Sequence, residues 1–111
     1  MKKIMFLMVA LFLGWGVKAT AQSVQDAPLY GKIINVIGDS YVKNHRRPYQ
    51  EAWHALVADK YHMTYRNYGR NGRCLVFDRT AEKWGTPMLD YFREMNDTAD
   101  YVLVIGGHND A

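Results

Sequence analysis

Apolar positions along the chain fall into short runs that switch between two periods. Ile33-Ile34-Asn35-Val36-Ile37 is a β-branched run that stops at Gly38. Apolar side chains on both faces predict a strand covered from both sides, as in a parallel sheet. Asp39 to Arg47 is polar and predicts a loop. Pro48 suits the first position of a helix. Tyr49, Ala52, Trp53, Leu56 and Val57 then recur at i, i+3, i+4, i+7 and i+8, which predicts one apolar helical face with Gln50, Glu51 and His54 off it. Met63 to Tyr68 alternates weakly and predicts a second strand. Asp78 to Gly85 has no period.

Thr86-Pro87 reads as the cap and first residue of another helix, whose apolar side is Met88, Tyr91, Phe92 and Met95. Tyr101-Val102-Leu103-Val104-Ile105 is the clearest strand, again followed at once by glycine. The order strand, helix, strand, helix, strand predicts an α/β fold with parallel strands and right-handed crossovers. No internal repeat is present.

The leader has a different character. Lys2 and Lys3 precede an apolar stretch, and Ala19-Thr20-Ala21 supplies the small residues of a cleavage site, so residues 1–21 read as an export signal. Ile4 to Val17 is 14 residues interrupted by Gly14 and Gly16, short of the ~20 that a bilayer core requires. A cleaved signal is therefore expected, no stable membrane anchor, and a secreted or periplasmic product of residues 22–111.

Of the 111 residues, 49% are apolar and 23% charged, which excludes disorder and leaves room for one small domain. The net charge of +3 belongs to the leader, whose Lys2, Lys3 and Lys18 face no acid. Residues 22–111 carry eleven basic and eleven acidic side chains. A neutral body argues against nucleic-acid binding, which depends on neutralising phosphates. The single cysteine, Cys74, has no internal disulfide partner and reads as a small buried hydrophobe. The four histidines are scattered over different elements, so no metal cluster is visible. No dinucleotide fingerprint is present either, and no cofactor is expected.

In an open parallel sheet, functional groups gather at the carboxyl ends of the strands. Each predicted strand here opens into an unusual polar loop. The first gives Gly38-Asp39-Ser40, the second Asn67-Tyr68-Gly69-Arg70-Asn71-Gly72, and the third Gly106-Gly107-His108-Asn109-Asp110. If the first strand lies between the other two, the three loops converge on one crevice. Blocks of these types in this order resemble the SGNH hydrolases, also called GDSL-type esterases. The resemblance covers Ile33 to Asp110.

It implies a three-layer α/β/α, flavodoxin-like sheet and a serine ester hydrolase. Ser40 would be the nucleophile, on a tight turn that Gly38 permits. The backbone N–H groups of Ser40 and Gly72 and the side-chain amide of Asn109 would stabilise the oxyanion. Gly72 would be glycine so that backbone can approach the substrate. Asp39 and Asp110 read as loop-fixing residues. The substrate would be a small-molecule or carbohydrate ester, acyl or acetyl, with export and Trp- and Tyr-rich loops favouring an O-acetylated carbohydrate.

A serine nucleophile needs a base, which the family carries in a later Asp-x-x-His block. Asp59-Lys60-Tyr61-His62 has that spacing, but it falls between the first helix and the second strand, at the far edge of the sheet. His54 falls on the polar side of its helix and is expected in solvent. His45 and His108 lie on the correct side with nothing in the sequence to orient them. The third block ends at Asp110, just before Ala111, where a crossover helix and further strands would follow. The chain therefore reads as the N-terminal part of a hydrolase domain, incomplete at the C-terminus and inactive alone, with the base beyond residue 111. Two alternatives belong to another class. One is a non-catalytic α/β remnant or interaction module. The other is a flavodoxin-like phosphate-binding domain, for which no longer glycine-rich cradle is present.

Overall fold

The computed structural model describes residues 23–76 and 86–111. The proposed signal at 1–21 and the irregular stretch Asp78–Gly85 lie outside the described residues. Within them the chain is α/β, with one parallel sheet in the order β2-β1-β3. The strands are β1 (Ile33–Gly38), β2 (Thr64–Gly69) and β3 (Tyr101–Ile105), each within a residue of its predicted span. The register pairs Gly38 with Gly69 on one side and with Ile105 on the other. All three strands therefore end level, and the loops that follow start side by side.

Strand β1 is buried through its last four residues, as its doubly apolar pattern requires. Ile37 joins Met88 and Tyr91 in a core to which Tyr68, Leu75 and Met95 add. Val36 points the other way, and Val42, Ala55 and Ala58 are buried with it. The polar Asn35 survives burial because its amide donates to the Asn96 carbonyl at 2.6 Å.

Helices α1 (Ser40–Lys43), α2 (Trp53–Lys60) and α3 (Met88–Tyr91) are short. The predicted helix beginning near Pro48 is split. Tyr49–Glu51 is a 3₁₀ turn, Ala52 is extended (φ −69°, ψ 144°), and the α-helix starts at Trp53. Its buried side is not the predicted one. Trp53 and Leu56 are 60% and 57% exposed, whereas His54, Ala55 and Ala58 are buried. Small Ala55 and Ala58 form the covered face, and the Tyr65 hydroxyl meets His54 Nδ1 from the sheet at 2.7 Å. The expectation of a solvated His54 is overturned.

Helix α3 is capped at Pro87 rather than Thr86, without a side-chain cap bond. Its first amides donate instead to the Cys74 and Leu75 carbonyls, at 2.9 and 3.1 Å. Among the described residues no helix is long and apolar enough to cross a membrane.

Candidate active site

Where β1 ends, Asp39 turns the chain into α1. Its Oδ1 accepts from the Tyr41 amide at 2.9 Å, and its carbonyl accepts from Val42 and Lys43 at 3.1 Å. Ser40 is thus the first residue of a one-turn helix, half-buried at the tip of the central strand. Asn44 closes that turn in the left-handed conformation.

The loop after β2 opens with an Asx turn, in which the Gly69 amide donates to Asn67 Oδ1 at 2.8 Å. The Gly69 backbone then passes against α1, so that a Cβ there would lie 2.5 Å from the Lys43 nitrogen. Gly72 has φ +71°, a left-handed conformation that glycine adopts without steric cost. Its own backbone therefore favours glycine there, whatever approaches it.

The third block clamps the chain just beyond Gly72. Asn109 Nδ2 donates to the Arg73 carbonyl at 2.9 Å, and Cys74 Sγ lies 3.2 Å from the Asn109 carbonyl. The Asp110 carboxylate accepts from the amides of Leu75 and Val76 at 2.7 and 3.1 Å. Asp110 fixes this loop, as expected of it. The sequence did not show that the Asn109 amide would also be anchored. An amide nitrogen has two hydrogens, so one is committed to Arg73 and one remains.

Ser40, Gly72 and Asn109 line one open cleft of ≈ 490 Å³ together with Tyr41, Asn44, His45 and Asn71. A hydroxyl, a glycine loop and an amide from three strand ends are therefore brought together. The histidines are not all so placed. His45 lines the cleft, and His108 packs edge-on against Tyr41 at 5.7 Å. Asp59 and His62 stay at the amino end of β2, where His62 meets the Tyr30 ring. Among the described residues no histidine is hydrogen-bonded to the Ser40 hydroxyl, and no group of three metal-ligating side chains occurs.

Behind the cleft lies a polar network that sequence reasoning missed. Asn67 Nδ2 donates to the Val42 carbonyl at 2.8 Å and to the Tyr65 hydroxyl at 2.7 Å. Tyr65 in turn meets His54 Nδ1. Burial lowers the His54 pKa from its ordinary 6.5, partly offset by the Tyr41 backbone, and raises that of Tyr65, offset by Asn67. On the other side of the sheet, Tyr91 donates to the Gly38 carbonyl at 3.2 Å, and Arg70 lies 4.3 Å over its ring. Burial raises the Tyr91 pKa, against the pull of Arg70 and Arg73. The available signal was the Asn-x-Gly spacing at Asn67, which marks an Asx turn.

Comparison with family models, curated proteins and solved structures returned no match.

Proposed function

We propose that the chain supplies the nucleophile and oxyanion donors of an SGNH-type serine ester hydrolase, within a three-layer, flavodoxin-like α/β/α domain. The observation that carries this reading is the convergence of Ser40, Gly72 and Asn109, from three separate strand ends, on one cleft. Ser40 Oγ attacks the ester carbonyl, its proton passes to a base, and the alcohol leaves as the acyl-serine forms. Water then releases the acid and restores Ser40. The amides of Ser40 and Gly72 and the free N–H of Asn109 face the developing oxyanion. Each such donor contributes about 10²- to 10³-fold in turnover.

Asparagines and tyrosine line the cleft, which favours a hydrophilic alcohol such as an O-acetylated carbohydrate over a long lipid. Export by the leader fits an extracellular or periplasmic polymer. A second reading, a non-catalytic interaction module, is favoured by the absence of a histidine on Ser40 among the described residues.

The deciding experiment treats the chain and its Ser40→Ala variant with p-nitrophenyl acetate, with and without imidazole as an external base. An acetyl adduct on the Ser40 peptide that grows with imidazole is expected. No adduct under either condition leaves the non-catalytic module. Ser40-dependent turnover without imidazole makes His45, the cleft histidine, the base.

A further inference from the structure

We propose that Asn67, held by Tyr65 and His54, is a positioning residue that sets the Ser40 turn against the Gly72 loop. The inference rests on the hydrolase reading above. Helix α1 is a single turn, too short to hold its own place by helical hydrogen bonds. Its position is set by outside contacts, and one of them is the Asn67 amide on the Val42 carbonyl. The same amide accepts from Gly69 at the start of the segment that carries Gly72. One side chain thus bridges the two segments that bring Ser40 and Gly72 to the cleft.

The orientation of that bridge is fixed. Gly69 N–H can only donate, so the atom it meets on Asn67 is the oxygen. The Val42 carbonyl can only accept, so the atom it meets is the nitrogen. The second amide hydrogen goes to the Tyr65 oxygen, and all of Asn67's polar atoms are engaged. The Tyr65 hydroxyl is hydrogen-bonded in turn to His54 Nδ1 at 2.7 Å. His54 is itself buried between α2 and the sheet, so the Tyr65 hydroxyl is held from behind. The hydrogen-bonded chain thus links Asn67 through Tyr65 to His54. A network serving only to attach α2 to β2 would need Tyr65 and His54 alone. Its extension through Asn67 to both cleft segments is what a positioning role requires.

Phenylboronic acid tests this, because boron captures a serine hydroxyl as a tetrahedral anion and binding at equilibrium needs no base. The ¹⁵N-labelled full chain is titrated and the Ser40 and Gly72 amide resonances are followed. In the parent sequence both should shift together, and neither should respond in Ser40→Ala. Asn67→Ala should weaken the affinity about tenfold and uncouple the Gly72 response from that of Ser40, the scale of loss that misplacement by a fraction of an ångström produces. Tyr65→Phe, which removes one link and keeps the ring, should lie between the two and serves where Asn67→Ala does not fold. Ala58→Gly destabilises α2 without touching either segment and should bind as the parent does. Equal, coupled responses in the parent and both network variants would overturn the positioning role alone. A parent spectrum that never responds at Ser40 would overturn the hydrolase reading, and the inference with it.

Discussion

Strand β2 reads Thr64-Tyr65-Arg66-Asn67-Tyr68-Gly69 and strand β3 reads Tyr101-Val102-Leu103-Val104-Ile105. Both are edges of the same sheet, on either side of β1. The polar one is half-buried over five of its six residues, while the apolar one exposes Tyr101, Val102 and Val104. Composition alone would assign the coverage the other way. The difference lies in what reaches each strand. Tyr65 and Asn67 are met by His54 and by the α1 backbone, and Tyr68 accepts from the Asn96 amide at 3.0 Å. Among the described residues, one-turn α3, its following turn and Leu75 and Val76 stand near Val102 and Val104, around an apolar groove of ≈ 460 Å³ that Leu89 and Phe92 also line. Helix packing and hydrogen bonding, rather than strand hydrophobicity, decide which edge is covered.

The largest expected effect compares the central strand with the β3 edge. Ile37, 2% exposed, is packed by Met88 and Tyr91. Ile37→Ala should cost about 2–5 kcal/mol by lost transfer energy and cavity formation. Val104→Ala, at a side chain 56% exposed, should cost well below half of that. Urea midpoints of the two variants check the ratio. Equal losses would mean that something covers β3 in solution.

A smaller loss is expected on the β2 side. Tyr65→Phe strips the acceptor from Asn67 and leaves His54 Nδ1 buried without its hydrogen-bond partner. An unsatisfied buried polar group costs about 1–3 kcal/mol. Denaturation of the variant measures this. A neutral outcome would show that the hydroxyl is replaced by solvent and that the β2 coverage is looser than its burial implies.

These two contrasts also show what was legible in the sequence. Strands β1 and β3 were, because β-branched runs ending at glycine specify both type and boundary, while β2 was legible from weaker alternation. The convergence of Ser40, Gly72 and Asn109 was, because parallel strands in the order β2-β1-β3 bring their following loops together. The orientation of α2 was not. Periodicity marks an apolar side at Trp53, Leu56 and Val57, but the sheet takes the small residues Ala55 and Ala58 and His54, bonded through Nδ1, instead. The decisive partner of His54, the Tyr65 hydroxyl, lies eleven residues away on another element, and no local pattern encodes it. The clamp of Asn109 and Asp110 on residues 73–76 was hidden for the same reason.

Acid should act on the β2 side through His54. Burial holds its folded pKa below the ordinary 6.5, so the unfolded chain takes up the proton more readily. The stability contributed by neutral His54 is whole above about pH 6.5 and is lost as the pH falls through the lower folded value. Urea midpoints measured from about pH 7.5 to pH 5 should therefore decline in the parent and decline less in His54→Phe. Identical slopes would remove His54 as the titrating group and would return it to the solvated position that the sequence suggests.

The smallest effect on stability should carry the clearest change in association. Val102 and Val104 stand on an edge strand that contains no charged residue, and such edges pair with other chains unless charge or a covering element blocks them. Replacing both by threonine keeps the β-branched shape that the strand favours and removes only exposed apolar surface, so the urea midpoint should move by no more than about 0.5 kcal/mol in equivalent stability. Sedimentation velocity over a concentration series should behave differently. The parent should associate as concentration rises, and Val102→Thr/Val104→Thr should remain monomeric over the same range. The corresponding polar change on the other edge, Thr64→Ser, should leave the parent's association untouched, because β2 is already screened by its hydrogen-bonded neighbours. Association that persists in the double variant would shift the contact to Trp53 and Leu56 on α2, the other exposed apolar face.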